Sequence, residues 1–250
     1  MAMPAGRGRA PRASPVSEVA SRAGIPVLTP TKLRDGTFAA TLRELAPDLC
    51  VVVAYGRILP VDVLAVPRLG YLNVHASLLP SFRGAAPIAY SLLAGDTVTG
   101  VSLMKLTEGM DEGPVLAMRE LAIDPADDCG ALTTKLAQVG AALLIEHLAE
   151  VEDGRARFAE QDHARATYAR PIERDDAALS WSAAATSLVN RVRAMAPAPG
   201  AFTTYPGGVL KVYRARVEGP AADAAPGTLV EIGADGPRLA CGEGSGRLLE

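Results

Sequence analysis

The amino-acid sequence predicts an α/β domain on a mostly parallel, Rossmann-like sheet, followed by a small β-barrel domain. Three observations carry this. Up to about residue 155, apolar strand-like runs alternate with stretches of helical periodicity, the pattern of a parallel sheet with helices packed against it. From 156 to 178 the chain turns polar and irregular, as a linker does. Further on, short strand-like runs are separated by Gly-rich turns, as in a small barrel. The domain boundaries so read are 1–155, 156–178 and 179–250.

Taken in order, residues 1–15 are Pro, Gly, Ala, Ser and Arg and read as a loop. "SPVSEVASRAG" predicts a helix with Ser14 as N-cap, Pro15 at the first helical position and Gly24 as its stop. "IPVLTP" reads as a short strand. "KLRDGTFAATLRELAP" turns helical in its second half, where Phe38, Leu42 and Leu45 share a face. "DLCVVVAYG" is a continuous β-branched run ending at Gly56, which predicts a strand buried on both faces. A short "PVDVLAVP" helix leads into the strand "GYLNVH". "TGVSLMKLT" and "GPVLAMRELAI" read as two strands flanking "EGMDEG", and "DCGALTTKLAQVGAALLIEHLAEVEDG" is the longest helical pattern. "SWSAAATSLVNRVRAMAPAPG" is a helix closed by prolines and a glycine, ahead of the short strands of the barrel.

A hydrophobic fraction of 49% supplies a real core, and a charged fraction of 21% with net charge −3 argues against global disorder. That charge balance makes any nucleic-acid contact local rather than global. Cys50, Cys129 and Cys241 are far apart and odd in number, so no zinc spacing and no disulfide framework is read; they are expected as free thiols in a reducing cytoplasm. No apolar run reaches the ~18 residues of a membrane span, so no membrane contact is expected. The glycine clusters "GRGRAP" and "GEGSGR" lack the third glycine, and the strand or the helix, of a dinucleotide cradle.

The chemistry concentrates in "NVHASLLPSFRGAAPIAY". Asn73 and His75 are two positions apart at a strand end, so their side chains point the same way. The carboxyl ends of parallel strands are where ligands bind. An imidazole exchanges protons near neutral pH, and an adjacent amide holds a carbonyl oxygen or oxyanion without titrating. A carboxylate to orient the imidazole comes from Asp111 in "EGMDEG", with Glu108 and Glu112 as rivals that spacing does not eliminate. His147 and His163 read as ordinary helix and linker histidines.

"LNVHASLLPSFRGAAPIAYSLLAGDTVTGVSLMKLTEGMDEGPVL" closely resembles the signature of the folate-dependent formyltransferases. "PAGRGR", "LAPDLCVVVAYGRILP", "RGAAPI", "ATYA" and "LSWS" resemble the branch of that family that formylates initiator methionyl-tRNA, over nearly the whole chain. The resemblance implies that 10-formyltetrahydrofolate, as cosubstrate, donates a formyl group to the methionine amino group for translation initiation, with no metal. It places Asn73, His75 and Asp111 at the catalytic positions. It assigns Gly56, Arg57, Ile58 and Leu59 to the pterin, and Ser77, Leu78, Leu79 and Pro80 to the turn lining the folate pocket.

The C-terminal domain becomes an OB-like, tRNA-binding barrel. Its tRNA candidates are Arg191, Arg193, Lys211, Arg214 and Arg216, joined by Arg7, Arg9 and Arg12 in the basic loop and by Arg83 near the site. A basic strip of this kind suits phosphate contacts.

Family members begin with a strand, a turn and a helix before this basic loop. The chain starts within the loop, so an incomplete N-terminal unit is expected, from a late start or from a degraded copy. A monomer in the cytoplasm is expected. Two further readings stay open: a formyltransferase or hydrolase with another acceptor (a glycinamide ribonucleotide, a nucleotide-sugar amine or water), and a non-catalytic tRNA- or folate-binding remnant.

Overall fold

A computed structural model describes residues 13–220 and 223–250. The chain opens with helix α1 (Pro15–Arg22), capped by Ser14, whose side chain accepts the Ser17 N–H at 3.2 Å, with Pro15 in its first turn. Helix α2 (Thr37–Leu45) follows after an irregular stretch, so the strand read at "IPVLTP" is coil. Among the described residues the run Ile25–Leu28 pairs with no neighbouring strand, and a strand exists only as a partner in a ladder.

The main sheet contains β1 (Cys50–Val53), β2 (Tyr71–His75), β4 (Val98–Lys105) and β5 (Val115–Ala122), side by side in that order. β1 and β2 are parallel, joined through the one-turn helix α3 (Val61–Leu64). β2–β4 and β4–β5 are antiparallel, so the four described strands of the Rossmann-like sheet pair in both senses. For β4–β5 the reason is the connection: residues 106–114 close a hairpin, whereas a parallel return needs a crossover of about a dozen residues or more. β1 lies at the sheet edge, and Val51 and Val53 are exposed on one face, so its apolar run is not buried on both sides as the sequence predicts. β4 is one of the two interior strands, with Thr99 through Met104 all buried.

Between β2 and β4 lie the two-residue strand β3 (Arg83–Gly84) and helix α4 (Pro87–Ala94). Helix α5 (Cys129–Glu152) is N-capped by Asp128, which accepts the Ala131 N–H at 2.8 Å. It lays Leu132, Leu136 and Leu143 on the sheet, and Gly140 lets it approach closely: a Cβ there would stand 2.8 Å from a Val74 methyl. Each such leucine, taken from water, contributes about 1.5–3 kcal/mol.

Residues 156–178 do not hang free between the two halves. Ala159 bridges Val115, and β6 (Tyr168–Ala169) pairs in parallel with β3, Arg83 opposite Tyr168. Helix α6 (Ala185–Met195) then buries Leu188, Val192 and Met195, and one apolar cluster runs without a break from Leu72 and Leu103 through these residues to Leu248.

The C-terminal strands are β7 (Ala201–Tyr205), β8 (Gly208–Val212), β9 (Ala215–Glu218), β10 (Leu229–Gly233), β11 (Gly236–Ala240) and β12 (Ser245–Leu248). β7 and β8 form a hairpin; the other four pair antiparallel in the order β10-β11-β12-β9. The expected barrel is thus two antiparallel sheets, with no hydrogen-bonded closure between them among the described residues. No helix among the described residues is long and apolar enough to cross a membrane.

Candidate active site

The alternation of β2 puts Asn73 and His75 on one face, and its neighbours bury both: Asn73 is 8% and His75 5% exposed. On one side of this pair is the β4–β5 hairpin loop. Asp111 sits at its tip with φ +49°, a left-handed conformation that aspartate tolerates better than most residues. Of the three acids in "EGMDEG", Asp111 is the one that meets both β2 side chains. Asn73 Nδ2 donates to Asp111 Oδ1 at 3.3 Å, and His75 Nδ1 lies 3.6 Å from Asp111 Oδ2. That second distance is ion-pair range, too long for a good hydrogen bond.

On the other side, His75 Nε2 lies 3.0 Å from the Phe82 carbonyl. A carbonyl only accepts, so Nε2 carries a hydrogen. The Gly84 N–H donates to Asp111 Oδ2 at 2.8 Å. Gly84 is there for a steric reason: φ is +112°, and a Cβ would stand 2.8 Å from the Ala169 carbonyl oxygen of β6.

The Ser-Leu-Leu-Pro turn is locked from beneath. Ser77 is fully buried and its Oγ donates to the Ser81 carbonyl at 2.6 Å, while Ser102 Oγ donates to the Ser77 carbonyl at 2.7 Å and accepts the Leu79 N–H at 3.0 Å. Leu79 packs on Met104 and Val115. Ser77 and Leu79 therefore shape the turn from inside, and Leu78 and Pro80 are its half-buried members.

Gly56, Arg57, Ile58 and Leu59 follow β1. None of these four makes a backbone–backbone hydrogen bond among the described residues, which leaves their N–H and C=O groups open to a ligand. Ile58 is exposed, Leu59 packs by Val63 and Tyr71, and the Arg57 guanidinium donates to the Pro30 and Thr31 carbonyls at 3.5 and 3.4 Å. An open groove of about 650 Å³ is lined by residues 31–35 with Arg57 and Ile58.

The basic candidates divide. Arg7, Arg9 and Arg12 lie outside the described residues. Arg83 is 2% exposed and its guanidinium is bound to Gln161, so it is not a surface cation offered to phosphate. Arg83 lies on β3, which pairs side by side with β6, and its side chain is closed in by Gln161 and His163. Arg191 donates to the Asp176 carbonyl at 2.6 Å, and Arg193 to the Asp127 and Asp124 carbonyls at 2.8 and 2.9 Å, so both join α6 to other elements. Lys211 donates to the Pro199 carbonyl. Arg216 is held by Glu218 and Asp235, and Arg214 is exposed.

Sequence reasoning missed Gln161 and the backbone of Phe82 and Gly84. Gln161 comes from the polar segment 156–178, is 7% exposed, and donates to the carbonyls of Asp111 and Gly113. Its only sequence signal is the "ATYA" stretch just after it, which becomes β6. The thiols of Cys50, Cys129 and Cys241 are all pushed up by burial, which fits structural cysteines rather than nucleophiles.

Comparison with known proteins adds the following. The family described as formyl transferase matches residues 1–148, and the formyl transferase C-terminal domain matches residues 171–250. The methionyl-tRNA formyltransferase of Myxococcus xanthus is 50% identical over 247 residues, covering 99% of this chain and 78% of that protein. That of Methylococcus capsulatus is 47% identical over 247 residues, covering 99% of this chain and 80% of its own length. Among solved structures, an N-formyltransferase from Helicobacter canadensis, in complex with folinic acid and dTDP-3-aminofucose, superposes with a TM-score of 0.72 at 16% identity, over 94% of this chain and 82% of its own. HypX from Aquifex aeolicus, in complex with tetrahydrofolic acid, superposes with a TM-score of 0.66 at 19% identity, over 84% of this chain and 36% of its own. At such identities these structures speak to the fold.

Proposed function

The chain belongs to the formyl transferase family, and from that premise we propose how its residues move a formyl group. It is a methionyl-tRNA formyltransferase: the donor is 10-formyltetrahydrofolate and the acceptor is the amino group of methionyl initiator tRNA. The observation that carries the residue assignment is the convergence of Asn73, His75 and Asp111 at the carboxyl end of β2.

In this reading a C–N bond forms between the methionine nitrogen and the formyl carbon while the bond from that carbon to N10 breaks. Charge gathers on the formyl oxygen between the two events. Asn73 directs one Nδ2 hydrogen to Asp111 and has a second for that oxygen. The His75 Nε2 hydrogen, aimed at the Phe82 carbonyl, is the other donor within reach. Asp111 faces Nδ1, where it orients the ring and balances its charge as a proton leaves the attacking nitrogen and one arrives at N10. The open backbone of residues 56–59 and the turn from Ser77 to Pro80 are the proposed folate contacts: the N–H and C=O groups of residues 56–59, which make no backbone–backbone bond among the described residues, suit a heterocycle bearing donors and acceptors, and the turn, its own groups already bonded, offers a fixed wall.

For tRNA, the exposed Arg214, just ahead of β9, supports the reading better than Arg191 and Arg193, whose guanidinium groups already serve carbonyls, or Arg216, which is paired with Glu218 and Asp235. The proposal keeps 1–155 as the catalytic unit, 156–178 as its connection and 179–250 as the tRNA-binding unit, acting as a monomer in the cytoplasm.

The test is formyl transfer from 10-formyltetrahydrofolate to charged initiator tRNA, run against a nucleotide-sugar amine, a glycinamide ribonucleotide and water. Transfer confined to tRNA is expected. Preference for another acceptor overturns the substrate assignment, and no turnover with any acceptor overturns the activity.

A further inference from the structure

Asp111 sits in an awkward place for a group that must be held to within a fraction of an ångström. It is at the tip of a hairpin loop, at positive φ, next to Met110, which is 55% exposed. A loop of this kind moves unless something outside it holds it. Its carboxylate is tied by Gly84 and Asn73. Its backbone is tied by a residue from a different part of the chain.

Gln161 Nε2 donates to the Asp111 carbonyl at 2.9 Å and to the Gly113 carbonyl at 2.7 Å, which uses both amide hydrogens on the two sides of the loop tip. Gln161 Oε1 in turn accepts from Arg83 Nε at 3.1 Å and Nη2 at 2.7 Å. Rotating the amide by half a turn would set its hydrogens against the guanidinium and its oxygen against two carbonyls, so the partners fix its orientation. Arg83 Nη2 also meets His163 Nδ1 at 3.3 Å, and no carboxylate lies within 4.0 Å of Arg83 among the described residues. The planar fork of arginine suits this task, because it presents two N–H groups to one oxygen.

The two-residue strand β3 therefore reaches Asp111 by two routes: Gly84 through the carboxylate, and Arg83 through Gln161 to the backbone. We propose that Gln161, oriented by Arg83, is a positioning residue for formyl transfer, fixing the Asp111 loop so that its carboxylate meets Asn73 and His75. This rests on the assignment of Asp111 to the reaction, and the experiment separates the two.

Gln161→Met keeps the length and removes both donors. Its kcat is expected to fall about 10–100-fold, the scale of a misplaced reacting group, with KM for either substrate changed less than about twofold. Combined with Asp111→Asn, the same change is expected to cost less than about twofold more, because its effect passes through Asp111. Equal losses in both backgrounds, or a loss carried by KM, overturn the proposal.

Hydrogen exchange gives a readout that needs no turnover. The Gly84 amide, bonded to Asp111 Oδ2, is expected to exchange at least about tenfold faster in Gln161→Met while amides within the β4–β5 pair keep their rates. An unchanged Gly84 rate overturns the proposal even if the wild-type chain transfers nothing, a result that would overturn the functional reading instead. If Gln161→Met does not fold, Arg83→Lys, which keeps the cation and loses the fork, is measured in its place with the same expectations.

Discussion

Two carboxylates, Asp111 at the site and Glu218 on β9, each stand at the centre of a polar network, and the two networks are made of opposite materials. Asp111 is held by a backbone N–H, a side-chain amide and an imidazole at 3.6 Å. Glu218 is held by arginines: Arg247 at 2.8 Å, Arg216 at 2.7 Å and Arg238 at 3.9 Å. Hydrogen bonds from Arg247 and then Arg216 pull the Glu218 carboxyl down to about 2. The contrast separates fixing a carboxylate from neutralising it. Glu218 is anchored by cations, whereas the Asp111 carboxylate is positioned by an amide N–H and a backbone N–H that bring no charge of their own.

The strongest way to break this comparison is at the imidazole. Replacing His75 with alanine is expected to lower kcat by about 10³-fold with folding retained, read by steady-state transfer assay and circular dichroism. A smaller effect should come from Asp111→Asn, which keeps an acceptor but removes the charge: about 10²-fold in kcat. An equal loss from Glu218→Gln would erase the distinction between the two networks.

Gly84→Ala sharpens it from the backbone side. The new methyl meets the Ala169 carbonyl at positive φ, and we expect about 1–3 kcal/mol of lost stability in urea unfolding, with activity falling as the N–H on Asp111 shifts.

The smallest effect belongs to Glu218. Its carboxyl lies below the ordinary glutamate value of 4.5, so the stability it adds is complete above about pH 4.5 and is lost as the pH falls through about 2. Glu218→Gln should therefore flatten the loss of stability across that window and leave transfer near neutral pH intact. Trp181, the one tryptophan of the chain, packs beside Gly227 with its Nε1 on Thr203, so its fluorescence reports this half of the molecule.

Much of this was legible in the sequence, for physical reasons that also mark where legibility ended. A period of two placed Asn73 and His75 on one face, because side-chain direction on a strand is a local property. The glycines around Asp111 marked a tight loop, but which of Glu108, Asp111 and Glu112 turns inward depends on one positive φ that no local rule fixes. "CVVV" read as a doubly buried strand, yet burial belongs to the neighbours a strand acquires, and β1 lies at an edge. Gln161 was invisible because its task is set by carbonyls 48 and 50 residues earlier and by a guanidinium 78 residues earlier, none of which leaves a mark on the polar segment around it. The polar composition that made 156–178 read as a linker is the same property that lets it supply hydrogen bonds to the site.

The unbroken apolar cluster from Leu72 to Leu248 bears on how such a protein changes over generations. Because α6 buries one face shared by both halves, exchanging the C-terminal half for an unrelated one would require rebuilding that face as well. Change in what the C-terminal half presents to its surroundings is accommodated at exposed positions such as Arg214, which lie outside that cluster.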